Sequence, residues 1–317
     1  MIDFIVTTIA KFLFWLRYDI RLIGLDKIAV KGKTGIVFLP NHPALIEPVI
    51  MFAYLHGPFA PHGFADFDQV NRPLIGYFAR KWGVRTIPSI AHYGPGAKAQ
   101  IEQVLDETIG GLKHGHNLIL WPAGQVYRSF KESLGANSSV ERILKTCPNV
   151  RIVLVRTRGL WGSKFSWAWG TEPLVVPTLL KGALRLLASG IFFAPRRKIT
   201  IEFYEPDDLP RQADRNTFNR YLEDFYNADA LPNTYVPYSI WEKGNTRTIP
   251  EPTTQTLNVD YSIVPPATRQ IVLKHHSTTP IRWPPTSVWT VWPAPICCSG
   301  WKKNSAFLSQ TPTRCEP

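Results

Sequence analysis

The feature that most limits this chain is a set of short, unbroken apolar runs, each ending at a polar or turn-forming pair. GIVFLP (35–40), NLILWP (117–122) and RIVLVRT (151–157) show no internal alternation with polar residues. A run this short and this uniformly apolar suits a strand buried on both faces. Between the runs the apolar spacing becomes helical. After Pro48 an apolar-rich stretch reaches Leu55, with proline in the first helical turn and Gly57 and Pro58 expected to stop it. IGYFARKWG (75–83) reads as a helix, VRTIPS (84–89) as a short strand, and 97–112 as a helix carrying Ile101, Val104, Leu105 and Ile109 at helical spacing. KITIEFYEP (198–206) alternates Ile199, Ile201 and Phe203 on one face, as a strand does, and 216–227 reads as the last helix. Strands alternating with helices predict an α/β fold: a single domain with a central mixed sheet flanked by helices. In such sheets functional residues gather where strands end and loops begin. His42 follows the first run directly, and Gly124 follows the second.

The two ends of the chain differ from this body. In MIDFIVTTIAKFLFWLRYDI no basic region precedes the apolar stretch and no small-residue cleavage site follows it, which disfavours a signal peptide. Lys11 interrupts a run shorter than the roughly 20 residues that a bilayer span needs. Two readings stand: an interfacial helix, with Ile5, Ile9, Phe12 and Leu16 at helical spacing and Phe14, Trp15 and Arg17 at headgroup-type positions, or a terminal helix packed on the core. A second amphipathic stretch, LLKGALRLLASGIFF (179–193), sets Lys181 and Arg185 among leucines. It either lies on a membrane or lines an acyl groove, or it is a core helix with two snorkelling basic side chains. Beyond about Val236 periodicity disappears and Pro, Thr, Ser and Trp dominate, so 236–317 is expected to be a linker and a disordered tail. The net charge of +12 implies an anionic partner, nucleic acid or lipid headgroup. The four cysteines form no Cys-x-x-Cys pair, which fits a reducing compartment without a structural metal.

LPNHPALIEP is the segment that carries chemistry. It places His42 and Glu47 five positions apart immediately after a buried run. Imidazole, with an ordinary pKa of about 6.5, suits a general base near neutral pH. A carboxylate beside it holds the ring tautomer and stabilises the imidazolium that forms. Five residues on a straight helix leave an offset of roughly 140°, so the pair meets only if His42 sits in the turn and Glu47 at the helix start. A helix N-terminus also favours the ionised carboxylate. The alternative is a histidine that caps a strand and a glutamate that caps a helix.

NHPALIEP resembles the His-x-x-x-x-Asp block of the lysophosphatidate and glycerol-phosphate acyltransferase family, in which an asparagine often precedes the histidine. WGVRTIPS (82–89) occupies the place of that family's Gly-x-x-x-Ile-x-Arg block, LILWPAGQVYRS (118–129) that of its Phe-Pro-Glu-Gly-Thr-Arg-Ser block, and IVLVRTRG (152–159) that of its Val-Pro strand. The departures are specific. Glu47 stands for aspartate, Ala123 for glutamate and Gln125 for threonine; the third arginine appears two places late as Arg128, and Ser89 takes the second arginine's place, with Arg85 four residues earlier. The resemblance implies His42 as base and Glu47 as its partner, with Asn41, Arg85, Pro122, Gly124, Gln125 and Arg128 lining the substrate site and the arginines gripping phosphate.

With 1–24 taken as the interfacial helix on its apolar spacing, the resemblance implies that 25–235 form an acyltransferase domain. A fatty acyl group would pass from an acyl thioester, acyl-CoA or acyl carrier protein, to a lysophospholipid or glycerol-phosphate hydroxyl. No cofactor or metal is implied, and without a nucleophilic Ser or Cys beside the pair no acyl-enzyme is expected. The implied partners are membrane lipid at the cytoplasmic face of a membrane, such as a bacterial inner membrane, and an acyl-activating ligase, because 236–252 resembles the junction that follows such domains. Three rivals remain: a hydrolase using the same pair on water, an inactive membrane-binding module, and a nucleic-acid binder, for which no helix-turn-helix, zinc or aromatic RNP signature is present.

Overall fold

The computed structural model describes residues 2–66, 73–87, 95–135, 137–242 and 244–252. These lie in the first of two units, Met1–Thr253. Ser89 and the Pro- and Trp-rich tail fall outside the described residues.

Seven strands form one mixed sheet: β1 (Tyr18–Ile23), β2 (Ile36–Pro40), β3 (His62–Asp66), β4 (Val84–Ile87), β5 (Leu118–Ile119), β6 (Arg151–Arg158) and β7 (Arg197–Tyr204), in the order β1-β7-β6-β2-β5-β3-β4. Every neighbouring pair is parallel except β6–β7. Before and between these strands the described residues form helices α1 (Ile2–Arg17), α2 (Leu25–Val30), α3 (Glu47–Phe59), α4 (Pro73–Lys81), α5 (Pro95–Lys113), α6 (Ser139–Thr146) and α7 (Val175–Ala188). An eighth helix, α8 (Arg215–Asn227), follows β7, and β8 (Thr234–Tyr235) with β9 (Arg247–Thr248) makes a separate two-stranded ladder.

The uniform apolarity of β2 has a simple cause. Ile36 and Phe38 pack with α1, α2 and α3 in one core, while Val37 and Leu39 pack with α5, α6 and α8 in the other. Alternate side chains leave a strand on opposite faces, so a sheet covered on both sides needs an apolar residue at every position. β2 is central, and the chain leaves it for β3 on one side while β6 lies on the other. Loops at the carboxyl ends of β2, β5 and β6 therefore collect at one edge, where ligands bind in open α/β sheets.

Several elements depart from the sequence reading. α3 runs through Gly57 and Pro58 and stops at Ala60, which has left-handed backbone (φ 43°). Proline in a last turn removes only one hydrogen bond, so it does not end the helix there. The expected strand 117–122 is ladder-paired only at Leu118–Ile119, and after Leu120 N–H donates to Phe38 O the chain turns away. Arg17 is not at a headgroup position. It is buried, donates to the carbonyls of Pro195, Val236 and Pro237, and lies 4.0 Å over the Tyr238 ring. The packed chain also continues past Val236: Val236 and Tyr238 are buried and β9 pairs with β8.

Both amphipathic stretches leave apolar surface uncovered. α1 buries Thr7 and Ala10, and Ile5, Ile9, Phe12, Leu13 and Trp15 are exposed. α7 is not a core helix: only Val175 and Gly182 are buried, and Leu180 and Leu184 are 63% and 66% exposed. Among the described residues no helix is long and apolar enough to cross a membrane.

Candidate active site

The loop after β2 is held by backbone and by amide. Asn41 N–H donates to Val155 O, continuing the ladder one residue past the strand. The Asn41 side chain then bridges to Thr157, its Nδ2 donating to Thr157 O at 3.1 Å and its Oδ1 accepting from Thr157 N–H at 2.7 Å. Asn41 is thus fully engaged in tying this loop to β6. The next peptide, that of His42, is gripped from the other side: its N–H donates to Glu132 Oε2 at 2.7 Å and its carbonyl accepts from Tyr127 N–H at 3.2 Å. Leu45 N–H reaches Phe165 O, and the chain enters α3 at Glu47.

That path solves the spacing problem. With His42 in the turn and Glu47 as the first residue of α3, His42 Nδ1 lies 3.4 Å from Glu47 Oε2. The Glu47 side chain is wholly buried, and Trp121 Nε1–H donates to the same Oε2 at 2.7 Å. Glu47 Oε1 and His42 Nδ1 are buried without a hydrogen-bond partner of their own, so the pair is close but not yet bonded. The His42 side chain keeps 14% of its surface, and because Nδ1 is buried, solvent meets the ring away from the carboxylate.

The electrostatics follow from burial. Desolvation lowers the His42 pKa to about 3, so the ring is neutral at working pH. Burial raises Glu47 well above the usual carboxylate range, and the hydrogen bond from Trp121 opposes that rise. Burial also raises Glu132 to about 8, opposed by the His42 N–H and reinforced by the charges of Glu47 and Glu223. A neutral imidazole beside a buried carboxyl group can take a proton on one nitrogen while the other is steadied.

The remaining residues expected at the site are distributed around this pair. Pro122 is buried directly after Trp121, Gly124 is an exposed turn glycine at φ 67°, and Gln125 is exposed beside it. Arg128 is exposed, with its guanidinium 4.7 Å over the Trp167 ring. Arg85 is on the edge strand β4, three positions from β2, and its Nη1 donates to Glu107 of α5 at 2.9 Å. The structure therefore joins His42 to Glu47, sets the 121–128 turn close by through Tyr127, and leaves Arg85 in a surface ion pair. Among the described residues no group of three or more His, Cys, Asp or Glu side chains is placed to hold a metal ion.

Three residues that the sequence reading passed over touch the pair or its backbone: Trp121, Tyr127 and Glu132. Trp121 had a signal. A tryptophan ending an apolar strand at a sheet edge brings an N–H that must find an acceptor when buried. Glu132 had none, since nothing local marks a loop glutamate ninety positions from the amide it accepts.

No family model and no curated protein matches the sequence. Among solved structures, the chain is similar in fold to a bacterial acyltransferase. That protein is the 1-acyl-sn-glycerophosphate (LPA) acyltransferase PlsC from Thermotoga maritima, with 16% identity over 72% of this chain and 78% of that one, at a TM-score of 0.48.

Proposed function

We propose that this protein is an acyltransferase that moves a fatty acyl group from an acyl thioester to the hydroxyl of a lysophospholipid or glycerol-phosphate acceptor. The observation that carries the reading is the neutral His42 imidazole, 3.4 Å from a fully buried Glu47 at the carboxyl edge of the sheet. The acceptor hydroxyl approaches the open edge of the ring, which takes its proton as the oxygen attacks the thioester carbonyl. Charge that develops on the imidazole is offset by Glu47, and the Nδ1–Oε2 gap closes to a normal hydrogen bond as it does. Catalytic hydrogen bonds are often long before substrate binds. The tetrahedral intermediate then expels the thiolate of the donor, coenzyme A or acyl carrier protein, which takes the proton back from His42. Gly124 and Gln125 in the adjoining turn are proposed to lie along the acceptor. Arg128, exposed and steadied on Trp167, is the better placed of the two arginines for its phosphate; Arg85 would first have to leave Glu107.

The exposed apolar faces support a membrane lipid as the acceptor's source. Trp15 of α1 and Phe192 after α7 are in ring contact at 6.4 Å, so the two faces meet, and the Arg196 guanidinium lies 4.9 Å from the Trp15 ring. Apolar side chains rimmed by aromatic and basic ones suit the interface of an anionic bilayer.

The test is thioester consumption by the purified protein against a panel of lysolipids, beside His42→Ala and Glu47→Gln. Wild type should turn over only when acceptor is present, and His42→Ala should lose about 10²–10⁴-fold in kcat. Consumption independent of acceptor would instead make the protein a hydrolase, and an unchanged rate in His42→Ala would end the mechanism.

A further inference from the structure

We infer that Glu132 is a positioning residue for His42: its backbone is anchored from α8, and its side chain holds the His42 peptide and thereby fixes where the base points. The inference rests on the proposed acyl transfer.

The geometry is a closed circuit. Both polar atoms of the His42 peptide are bonded to one loop, the N–H to Glu132 Oε2 and the carbonyl to Tyr127 N–H. That loop is in turn fixed by α8. Glu132 N–H donates to Asn227 Oδ1 at 2.7 Å, Asn227 Nδ2 returns a bond to Glu132 O at 2.9 Å, and Leu134 N–H donates to Glu223 Oε1 at 2.6 Å. One residue before Asn227, the Tyr226 hydroxyl donates to Leu39 O at 2.9 Å, on β2, the strand that leads into His42. The chain thus passes from β2 through His42 to the loop, from the loop to α8, and from α8 back to β2.

The choice of a carboxylate at this place needs a reason. Glu132 is only 4% exposed, and its Oε1 is buried without a hydrogen-bond partner. Any carbonyl could accept the His42 N–H, and an amide would do so without the desolvation cost of an acid. What an acid adds is a second charge state at the bond to the His42 peptide. The groups that face it are His42, Glu47 at the start of α3, Glu223 and Tyr226 on α8, and Tyr127 on its own loop. Because Glu132 titrates near pH 8, it is mostly neutral at pH 7 and becomes a carboxylate above that pH. A negative charge on Oε2 strengthens the bond it accepts from the His42 N–H and so tightens the hold on the base, and turnover should rise as pH passes through about 8. Glu132 shares a cavity of about 30 Å³ with Asn41, Thr157 and Tyr226, large enough for water to reach the acid and exchange its proton.

The experiment uses the full-length protein with Glu132→Gln, Glu132→Leu and Asn227→Leu, read by steady-state kinetics from pH 6 to 9 and by amide hydrogen exchange at His42. Glu132→Gln keeps an acceptor, so kcat at pH 7 should stay within about threefold of wild type while the alkaline rise disappears. Glu132→Leu removes the acceptor; kcat should fall about 10–100-fold with little change in KM, and the His42 amide should lose its protection. Asn227→Leu loosens the anchor from a distance and should change kcat and protection in the same direction, which keeps the idea testable if Glu132→Leu does not fold. Full kcat and an intact His42 amide in either leucine variant would overturn the inference, as would a Glu132→Gln enzyme as slow as Glu132→Leu. Should wild type transfer no acyl group to any lysolipid, the functional reading fails, and the exchange data alone still decide whether Glu132 holds His42.

Discussion

At His42 the burial that keeps the ring neutral also makes it costly to protonate. Its pKa falls from 6.5 to about 3 on folding, so below pH 6.5 the unfolded chain binds the proton more readily than the native one. Stability from this residue is therefore present above about pH 6.5 and is lost as pH falls toward 3. Glu132 has the opposite sign: its raised pKa makes the native state the better proton binder between about 4.5 and 8, so its contribution weakens as pH rises through that window. Comparing wild type with His42→Gln isolates the first effect. Between pH 7 and pH 5 wild type should lose on the order of 1–2 kcal/mol more than the variant in urea titrations. Equal losses in the two proteins would mean that the native ring protonates freely. Trp121 offers a second check on the site. Trp121→Phe keeps an aromatic ring toward Phe52 and removes the N–H that Glu47 Oε2 accepts, together with part of the indole's volume. A buried carboxylate deprived of a charge-assisted bond stands further above its usual pKa and orients His42 less well. We expect about a tenfold fall in kcat with KM unchanged, measured at neutral pH; a fully active Trp121→Phe would reduce Trp121 to packing.

Among the elements, the strand ends decide what the sheet can do. Gly159, just beyond β6, has φ 91°, and a Cβ there would run into the carbonyl of Lys198 on β7, at the single antiparallel junction of the sheet. Gly159→Ala combines left-handed backbone with a clash against main chain. It should cost about 2–4 kcal/mol, seen as a drop in melting temperature; a neutral substitution would show that this junction gives way easily. The same elements show what could be read in advance. The runs of β2 and β6 were legible because burial on both faces leaves an unmistakable pattern, and His42 and Glu47 were legible because they lie close in sequence. β1 was missed: α1 passes into it at Tyr18 without a turn residue, so YDIRLI reads as the end of a helix. β3, HGFAD, has no alternation to find and exists because β5 and β4 pair with it. Trp121 left the expected strand because its indole is needed at Glu47 rather than in the ladder. Glu132 and Tyr127 were illegible in a deeper sense, since their role is to bond backbone atoms, and a backbone amide has no sequence signature.

For the molecule as a whole the open question is what covers α1 and α7. Their exposed residues are not scattered: Ile5, Ile9, Phe12 and Trp15 on one helix and Leu180, Leu184 and Leu187 on the other are joined by the contact of Trp15 with Phe192, and Phe193 beside it is 71% exposed. Folded monomers rarely leave so much contiguous apolar surface in water. Lys181 and Arg185 on α7 and the net charge of +12 favour a surface that is negative as well as apolar. Each basic residue near an anionic leaflet adds about 1 kcal/mol, and each inserted leucine about 1.5–3 kcal/mol at full burial. Both terms should therefore be visible in vesicle sedimentation. Wild type should bind phosphatidylglycerol-containing vesicles more tightly than neutral phosphatidylcholine vesicles, with added salt weakening only the former. Leu180→Glu with Leu184→Glu should lower the anionic-vesicle affinity by at least about tenfold, because insertion and charge are both opposed. Turnover on a short-chain, water-soluble lysolipid should remain, because neither leucine touches His42 or Glu47. If the double variant bound vesicles as wild type does, the apolar face would belong to a protein partner or a second copy, and the bilayer would have to supply substrate by another route.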